Sequence, residues 1–299
     1  MSEPIRSVLV ATDFSQTARA GVDWAIEIAS EHGARIRLVH GLLLASRMTD
    51  YVPAPPDFTE ALQAAAAARL EEVCYRVRDA GLEVSSDLRL GLPSQAILEA
   101  VREEGADLLV IGTRGLTGVS HLLLGSTAER VVQHSSCPVL SVHPGDYEHH
   151  RRIRTVLVPT DFSRDAESAT AAAMRLLGDD VEGARVVLLN AYHLPFEYTA
   201  YGTIPTSVDY TRDVEGAAQE KLAEISAALA EDGLAVESRA IEGYPPEVIV
   251  DEAEGSSADL IAMGTHGRTG LAHLFLGSTA ERVVQNAKCP VLTVRRQDD

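Results

Sequence analysis

The chain carries two copies of a 32-residue glycine-rich segment, and this repeat restricts the fold more than any other feature of the sequence. The copies run from Gly112 to His143 and from Gly264 to Arg295, and 22 of the 32 positions are identical at a constant offset of 152. Each copy contains the pattern Gly-x-x-Gly-x9-Gly-Ser. In a chain of 299 residues, this period gives each half the size of an ordinary domain. The sequence therefore predicts a tandem duplication, with one domain over residues 1–146 and a second over residues 151–299.

Composition narrows the classes of function. The formal net charge is −18 and only two lysines occur, so the clustered basic residues of a nucleic-acid-binding face are missing. No apolar run approaches the length of a membrane span, and the first residues lack a basic-then-apolar signal region. The three cysteines predict free, buried thiols, since two of them occupy equivalent positions of the repeat. We expect a soluble, cytoplasmic protein with neither a nucleic-acid nor a membrane partner.

Strand-like and helix-like segments alternate along each half. Short aliphatic and β-branched runs predict strands, and apolar residues at helical spacing predict the helices between them. The predicted strands of the first half are Ser7–Thr12, Ala34–His40, Glu83–Leu90, Asp107–Ile111 and Cys137–Val142. Four helices are predicted between and after these strands. The first begins at Ser15, the third covers Pro93–Glu104, and the fourth runs from Ser126 to about Ser135. The second contains the apolar stripe Leu62, Ala66, Leu70, Val73 and Val77. The same stripe recurs 152 positions later.

This alternation predicts an α/β fold. Each half should be a doubly wound, Rossmann-like domain with a mostly parallel sheet, right-handed crossovers and helices on both faces. The proline-rich stretch from Gly41 to Asp57 predicts a loop, and the polar segment from Pro144 to Arg152 predicts the linker between the domains.

The last strand of each half begins with the sequence CPVL. A proline at the head of a strand is tolerated at the edge of a sheet, but an open apolar edge invites uncontrolled pairing. Pairing the two last strands with each other would cover both edges. We therefore predict that the two domains form an internal pseudo-dimer through their last strands.

The glycine pattern lies where an α/β sheet gathers its ligands. It follows the predicted strand Asp107–Ile111 directly, and the first strand ends close by at Asp13, or at Asp161 in the second half. Glycines permit positive φ angles and let main-chain amides face a polyphosphate, while the start of a helix at Ser126 attracts an anion without any lysine. The pattern matches neither the Gly-x4-Gly-Lys loop nor the Gly-x-Gly-x-x-Gly fingerprint. It predicts a phosphate site of another kind.

Local structure offers a second explanation for part of these residues. The segments Ser126–Glu129 and Ser278–Glu281 fit a Ser-x-x-Glu capping box, which needs no ligand. Asp13 and Asp161 precede helix starts and can form local hydrogen bonds there, or accept a hydrogen bond from the amino group of a base. The residues alone leave both roles open. The nine-residue spacing kept in both copies favours a ligand, because unconstrained loops usually diverge in length.

These features resemble the universal stress protein family in its tandem-domain form, over nearly the whole chain. The Gly-x-x-Gly-x9-Gly-Ser pattern after a buried strand is similar to the ATP-binding signature of that family. The resemblance implies a five-stranded sheet in each half, pairing of the domains through the final strand, and ATP as the ligand.

The resemblance also implies roles for single residues. Asp13 and Asp161 would meet the adenine, and the backbone at Gly41 and Ala191 would lie near the nucleoside. Larger aliphatic residues are common at the positions of Gly41 and Ala191, which implies a looser base pocket here. The ribose and phosphates would be held by Gly112, Gly115, Gly125, Ser126, Gly264, Gly267, Gly277 and Ser278.

The two halves differ at a few positions near this predicted site. His40 of the first half becomes Asn190 in the second, which implies two sites of different affinity. Arg114 and His266 lie inside the glycine pattern and either approach the phosphates or extend into solvent.

We expect an ATP-binding regulatory protein of the stress response, in which occupancy alters the long loops 42–57 and 193–209 or the dimer contacts. No catalytic residue is identified, because the only candidate bases in the repeated segment, Glu129 and Glu281, fit the capping box; any hydrolysis should be slow. No carboxylate or histidine cluster has metal-ligand spacing, so Mg²⁺ would be held mainly by the phosphates and by a hydroxyl such as Ser126 or Ser278.

Two other functions remain open from the residues alone. One is an ATP-hydrolysing or nucleotidyl-transferring enzyme on the same fold, and the other is a nucleotide-free module that acts only through protein partners. The sequence identifies no particular protein partner. It also leaves open whether two tandem chains associate as a homodimer.

Overall fold

The computed structural model describes residues 4–43, 57–113, 115, 124–143, 152–178, 181–193, 197–199, 202–204, 208–231, 233–267 and 276–295. The chain divides into two compact units, one within Glu3–His150 and the other within Arg151–Asp299. All but the last residue of the predicted linker Pro144–Arg152, most of the predicted loop over residues 41–57, and Arg114 lie outside the described residues.

The first unit is a parallel α/β sheet. Its elements are β1 (Ser7–Ala11), α1 (Gln16–His32), β2 (Arg35–Leu42), α2 (Phe58–Asp79), β3 (Val84–Leu90), α3 (Pro93–Glu104), β4 (Leu108–Gly112), α4 (Ser126–His134) and β5 (Val139–Val142). The strands are parallel in the order β3-β2-β1-β4-β5. Every residue of β1 and all but the last of β4 are buried, because these central strands are covered on both faces.

Helices cover both faces of this sheet, as the sequence predicts. α1 and α2 share one face, where Arg76 of α2 forms an ion pair with Asp23 of α1. α3 and α4 pack against each other on the opposite face. The apolar stripe of α2 turns toward the sheet, and its most deeply buried members are Ala66, Leu70 and Val77.

The second unit repeats this architecture. Its elements are β6 (Thr155–Pro159), α5 (Arg164–Leu177), β7 (Arg185–Tyr192), β8 (Glu197–Thr199), β9 (Gly202–Ile204), α6 (Val208–Glu231), β10 (Ala235–Glu242), α7 (Pro245–Gly255), β11 (Leu260–Gly264), α8 (Ser278–Asn286) and β12 (Val291–Val294). The sheet order is β10-β7-β6-β11-β12, again parallel. The short antiparallel pair β8–β9 has no predicted counterpart.

The second strand of each unit is longer than the sequence predicts. Gly41 was expected to follow the strand, but it lies inside β2 and pairs with Arg89 of β3. Ala191 likewise lies inside β7 and pairs with Ile241 of β10. The prediction was wrong because the neighbouring edge strand continues the ladder beyond the apolar run that marks the strand in the sequence.

The three cysteines form no disulfide bond. Cys74 is buried, and Cys137 and Cys289 are half-buried. Burial raises the pKa of the Cys137 thiol to about 11, so this group stays protonated and unreactive at neutral pH. Within the described part of the chain, no helix combines the length and the apolar character needed to cross a membrane.

Candidate functional site

The switch point of the first sheet lies between β1 and β4. The chain leaves β1 into α1 on one face and leaves β4 toward α4 on the other, so a crevice forms at the carboxyl ends of these strands. A cavity of about 260 Å³ opens in this crevice. All six residues that the sequence predicts for the first site line it, namely Asp13, Gly41, Gly112, Gly115, Gly125 and Ser126.

The second unit has a cavity of about 330 Å³ at the matching place, between β6 and β11. All six residues predicted for the second site line it, namely Asp161, Ala191, Gly264, Gly267, Gly277 and Ser278. The second volume lies near the lower end of the roughly 300–1,000 Å³ that small-molecule sites span, and the first lies just below it. The same twelve positions therefore form two separate groups of six.

A chain of hydrogen bonds shapes the turn that presents Asp13. Thr12 Oγ1 accepts from the Phe14 amide (3.1 Å), and Asp13 Oδ1 accepts from the Ser15 amide (3.0 Å). Ser15 Oγ then accepts from the Ala18 amide (3.1 Å) and caps α1. The second unit repeats the three bonds at 3.0, 3.1 and 3.3 Å. The local role considered for the aspartates is therefore real, and it fixes the orientation of each carboxylate at the cavity.

An aromatic residue in a left-handed conformation follows each aspartate. Phe14 has φ of 66° and Phe162 has φ of 64°, a backbone conformation that bulky residues rarely adopt. Such strain costs about 1–3 kcal/mol and persists only where surrounding contacts hold it. Cations stack over both rings, Arg69 at 5.5 Å from the Phe14 centroid and Lys221 at 5.2 Å from that of Phe162. Nothing in the sequence signals this turn.

The glycines of the pattern allow the loop to pack closely against neighbouring residues and are not needed for unusual backbone angles. None of the six has a positive φ, so that part of the prediction was wrong. A Cβ on Gly112 would lie 2.9 Å from Thr17 Cγ2, and one on Gly115 would lie 2.8 Å from Asp13 Oδ2. The matching distances in the second unit are 2.7 and 2.7 Å. Each loop therefore passes so close to the helix start and the aspartate that a side chain fits only if these neighbours move.

Gly41 does not loosen the first cavity, contrary to the expectation from the resemblance. A Cβ at this position would lie 2.5 Å from Pro93 Cα, so the first turn of α3 already fills the space of a side chain. The first cavity is also smaller than the second, where Ala191 occupies the matching position.

The capping box predicted at the start of α4 does not form. Gly125 is the N-cap, Ser126 is already the first helical residue, and among the described residues no side-chain cap hydrogen bond is formed at this N-cap. Gly125 donates to Thr113 O (3.0 Å), which closes the glycine loop, and Glu129 accepts from Gln133 one turn later (3.3 Å). α8 begins in the same way. Both helices thus present uncapped amides and the positive end of the helix dipole at a cavity wall.

His40 and Asn190 make the same hydrogen bond despite their different chemistry. His40 Nδ1 lies 2.7 Å from Thr12 O, and Asn190 Nδ2 donates to Thr160 O at 2.8 Å. Because a carbonyl only accepts, Nδ1 of His40 carries a proton. The different affinity expected from this pair stays a prediction.

Sequence reasoning missed the apolar part of the cavity. Val39, Pro93 and Ile97 line the first cavity together with the glycines of the loop. Proline at a helix start was recognised in the sequence, but nothing there indicated that it would face a ligand. An apolar lining with a few polar groups is the usual composition of a small-molecule site.

Candidate acids, bases and metal ligands are sparse at these cavities. Glu129 and Glu281 are not among the residues that line them. Over the described residues, no group of three or more His, Cys, Asp or Glu side chains is placed to hold a metal ion.

The fold and its crevice place the chain among the doubly wound α/β proteins, which bind ligands at the switch point of the sheet. The sequence profile described as "Universal stress protein family" matches residues 4–143 and again residues 152–295. The chain therefore belongs to the universal stress protein family and contains two of its domains.

Individual relatives agree with this assignment. A universal stress protein of Mycolicibacterium smegmatis is 31% identical over 298 residues, which cover 96% of each chain. One of Mycobacterium tuberculosis is 28% identical over 301 residues, also 96% of each chain. The solved structure of a universal stress protein from Archaeoglobus fulgidus has the same fold, with a TM-score of 0.72 at 22% identity, and the match covers 98% of this chain and 97% of that one.

Proposed function

We propose that the chain is an ATP-binding regulatory protein of the stress response and that each unit binds one nucleotide in its switch-point cavity. One observation carries this proposal: two separate units bring the same six positions to a cavity at the same place in the fold. The nucleotide would act as a signal through its occupancy of the two sites. We further propose that the protein works in the cytoplasm and transmits that signal to a protein partner.

The chemistry of each cavity fits an adenine nucleotide. The apolar wall formed by Val39, Pro93 and Ile97 suits a base, and the carboxylate of Asp13 suits its exocyclic amino group. The closely packed glycine loop and the uncapped amides at Ser126 suit the phosphates without a lysine. We propose that Mg²⁺, when bound, is held mainly by the phosphates, with a hydroxyl such as that of Ser126 or Ser278 nearby.

We propose that ATP hydrolysis is absent or slow. Phosphoryl transfer needs a positioned base and groups that neutralise the developing charge, and the two glutamates considered for this purpose bond within their own helices instead. An ATP-hydrolysing or nucleotidyl-transferring enzyme is the alternative. Incubation of pure protein with ATP and Mg²⁺ decides between them, since many turnovers per second would overturn the regulatory proposal.

Blocking both glycine loops tests the site directly. In the double variant Gly115→Val and Gly267→Val, the new side chains would displace the carboxylates of Asp13 and Asp161 and occupy the cavities. We expect ATP retention in equilibrium dialysis to be lost, with unchanged circular dichroism, because an aspartate side chain can swing aside without disturbing the fold.

Gly216→Val is the matched control. Gly216 lies in α6, where an added Cβ meets no atom within 4 Å, so the same substitution should leave ATP retention at the wild-type level. Undiminished retention in the double variant would show that the cavities are not the nucleotide sites.

A further inference from the structure

A side chain near the end of the second strand holds the turn that presents Asp13. The pairing of β1 with β2 ends at Ala11 and Val39, and the Thr12 amide adds one bond to Val39 O (2.9 Å). The Thr12 carbonyl then accepts from a side chain, His40 Nδ1, at 2.7 Å. Thr12 is buried, so its carbonyl depends on a donor within the protein.

The second unit repeats this arrangement with a different residue. The Thr160 amide donates to Leu189 O (2.8 Å), and Asn190 Nδ2 donates to Thr160 O (2.8 Å). Thr160 is buried as well. In both side chains the donor nitrogen is bonded to Cγ, so histidine and asparagine can offer an N–H at the same distance from the main chain. The two units therefore share the N–H donor and not the type of side chain.

The carbonyl that this donor fixes lies directly before the aspartate. Thr12 also binds the Phe14 amide through its hydroxyl, and Asp13 Oδ1 accepts from the Ser15 amide. The other carboxylate oxygen, Asp13 Oδ2, lies 2.8 Å from the place that a Cβ of Gly115 would take, at the wall of the cavity. The side chain near the end of the second strand thus acts on this carboxylate through a single peptide unit.

His40 makes a second contact in the first unit. Its ring packs against the ring of Phe14, with 4.6 Å between the centroids and 37° between the planes. Asparagine has no ring, so Asn190 cannot make this contact with Phe162. Ring packing is therefore a feature of the first unit alone, whereas the hydrogen bond to the carbonyl before the aspartate occurs in both units.

We infer that His40 and Asn190 are positioning residues that set the carboxylates of Asp13 and Asp161 to select a 6-aminopurine. An ionised carboxylate only accepts hydrogen bonds, so it pairs with the amino group of adenine and repels the carbonyl oxygen of a 6-oxopurine. The selection is lost when the turn no longer holds the carboxylate in place. This inference rests on the proposed nucleotide function and deepens it, because it names the residues that set the base preference.

Site-isolated variants test the inference. Gly267→Val leaves only the first site open, and Gly115→Val leaves only the second. Titration calorimetry with ATP and with ITP, which carries an oxygen in place of the amino group, gives the ratio of the two affinities in each background. We expect both backgrounds to prefer ATP by about tenfold or more.

The N–H donor and the ring can be removed separately at the first site. His40→Phe keeps a ring beside Phe14 but has no N–H donor, and we expect it to lower the preference for ATP about tenfold, through weaker ATP binding. His40→Asn loses the ring but keeps the donor. We expect it to hold the ratio within about twofold of that of its background.

The second site gives an independent pair of variants, which decides the question if His40→Phe does not fold. Asn190→Leu has a similar size but no donor and should lower the preference for ATP, while Asn190→His should keep it. His134→Leu is the matched control, because the His134 imidazole is exposed and lies 2.9 Å from a main-chain carbonyl, Arg130 O, but does not line the first cavity. It should leave the ratio unchanged.

The failures are distinguishable. Circular dichroism checks that each variant folds, and Asp161→Ala or Asp13→Ala replaces a valine variant that does not. A wild-type chain that binds neither ATP nor ITP would overturn the proposed function and this inference together. Equal affinity of the wild type for ATP and ITP, an unchanged ratio in the variants that lack the donor, or an equal loss in His40→Phe and His40→Asn would overturn this inference alone and leave nucleotide binding standing.

Discussion

At the scale of single residues, Asp87 of β3 shows how charged side chains pair on the edge strand of the first sheet. Its carboxylate accepts from Arg89 Nε (2.7 Å) and from an Arg37 guanidinium nitrogen (3.2 Å), and its side chain is 20% exposed. Burial would raise the pKa of this carboxyl, but the hydrogen bonds from Arg89 and Arg37 outweigh it and lower the pKa. Folding is therefore coupled to the ionisation of this group.

The sign of this coupling predicts how stability depends on pH. A carboxyl whose pKa is lowered by folding stabilises the protein above its unfolded pKa, about 3.9, and loses that contribution as the pH falls through the folded value. We expect Asp87→Asn to cost about 1 kcal/mol at pH 7 and to flatten the acid limb of the stability curve in urea denaturation.

Glu71→Gln is the control, because it removes a far more exposed ion pair with Arg78. It should not change stability measurably. An Asp87→Asn variant with the wild-type stability at every pH would show that the partly buried ion pairs of Asp87 with Arg37 and Arg89 contribute nothing.

The sequence predicted which positions line the two cavities better than it predicted the structural role of each position. The twelve site positions lie in two groups at the two cavities. They could be predicted because the order of the strands and the spacing of the glycines can be recognised in the sequence. The glycines were predicted to provide positive φ angles, and this was wrong. They are needed because the loop lies close to other residues, as Gly115 does to Asp13, and such tertiary packing cannot be predicted from the sequence. The left-handed Phe14 could not be predicted either, because its ring contact with Arg69 joins residues distant in the chain.

At the scale of elements, the helices after the first strand of each unit begin with a true side-chain cap. Ser15 Oγ accepts from the Ala18 amide in α1, and Ser163 Oγ accepts from the Ala166 amide in α5. These caps satisfy amides that would otherwise be unpaired in a helix start beside the candidate site.

Removal of either cap should destabilise its unit. We expect Ser15→Ala and Ser163→Ala each to cost about 1 kcal/mol in denaturant unfolding, since alanine leaves a helix amide without an acceptor. Ser168→Ala is the matched control in α5, where the hydroxyl only bonds back to Arg164 O and caps nothing. Equal effects of Ser163→Ala and Ser168→Ala would contradict the capping role.

In the first unit, element type and order followed from periodicity, but some element boundaries did not. The helix predicted over Pro93–Glu104 is confirmed at both ends, because proline marks its start and glycine its end. β2 extends beyond its prediction through Gly41, since a ladder partner rather than residue preference sets where it ends. The start of α4 at Ser126 is confirmed, but the Ser-x-x-Glu sequence does not cap it, since the N-cap is Gly125.

At the scale of the whole molecule, the duplication leads to a prediction that the two domains pair through their last strands. β5 and β12 are the last strands of their sheets, and the sequence argument pairs them with each other so that neither apolar edge stays open. That pairing stays a prediction, as does the association of two chains.

Hydrogen exchange of the intact chain tests the pairing. If the last strands pair, every amide of Val139–Val142 should exchange as slowly as the amides of the central strand Leu108–Gly112. β3, at the other margin of the first sheet, is the internal control, and its outward amides should exchange fast. Fast exchange at alternate amides of Val139–Val142 would show that this edge is open.

The close approach of Gly41 to Pro93 has a consequence for redesign of the two sites. Any larger residue at position 41 would have to push α3 outward, so the first cavity offers little freedom to accommodate a base other than that of the proposed nucleotide. Ala191 already carries a Cβ beside a roomier cavity. Substitution of Ala191 is therefore the better route to a site that accepts a modified nucleotide. The unchanged first site would then serve as a reference for the proposed ligand within the same chain.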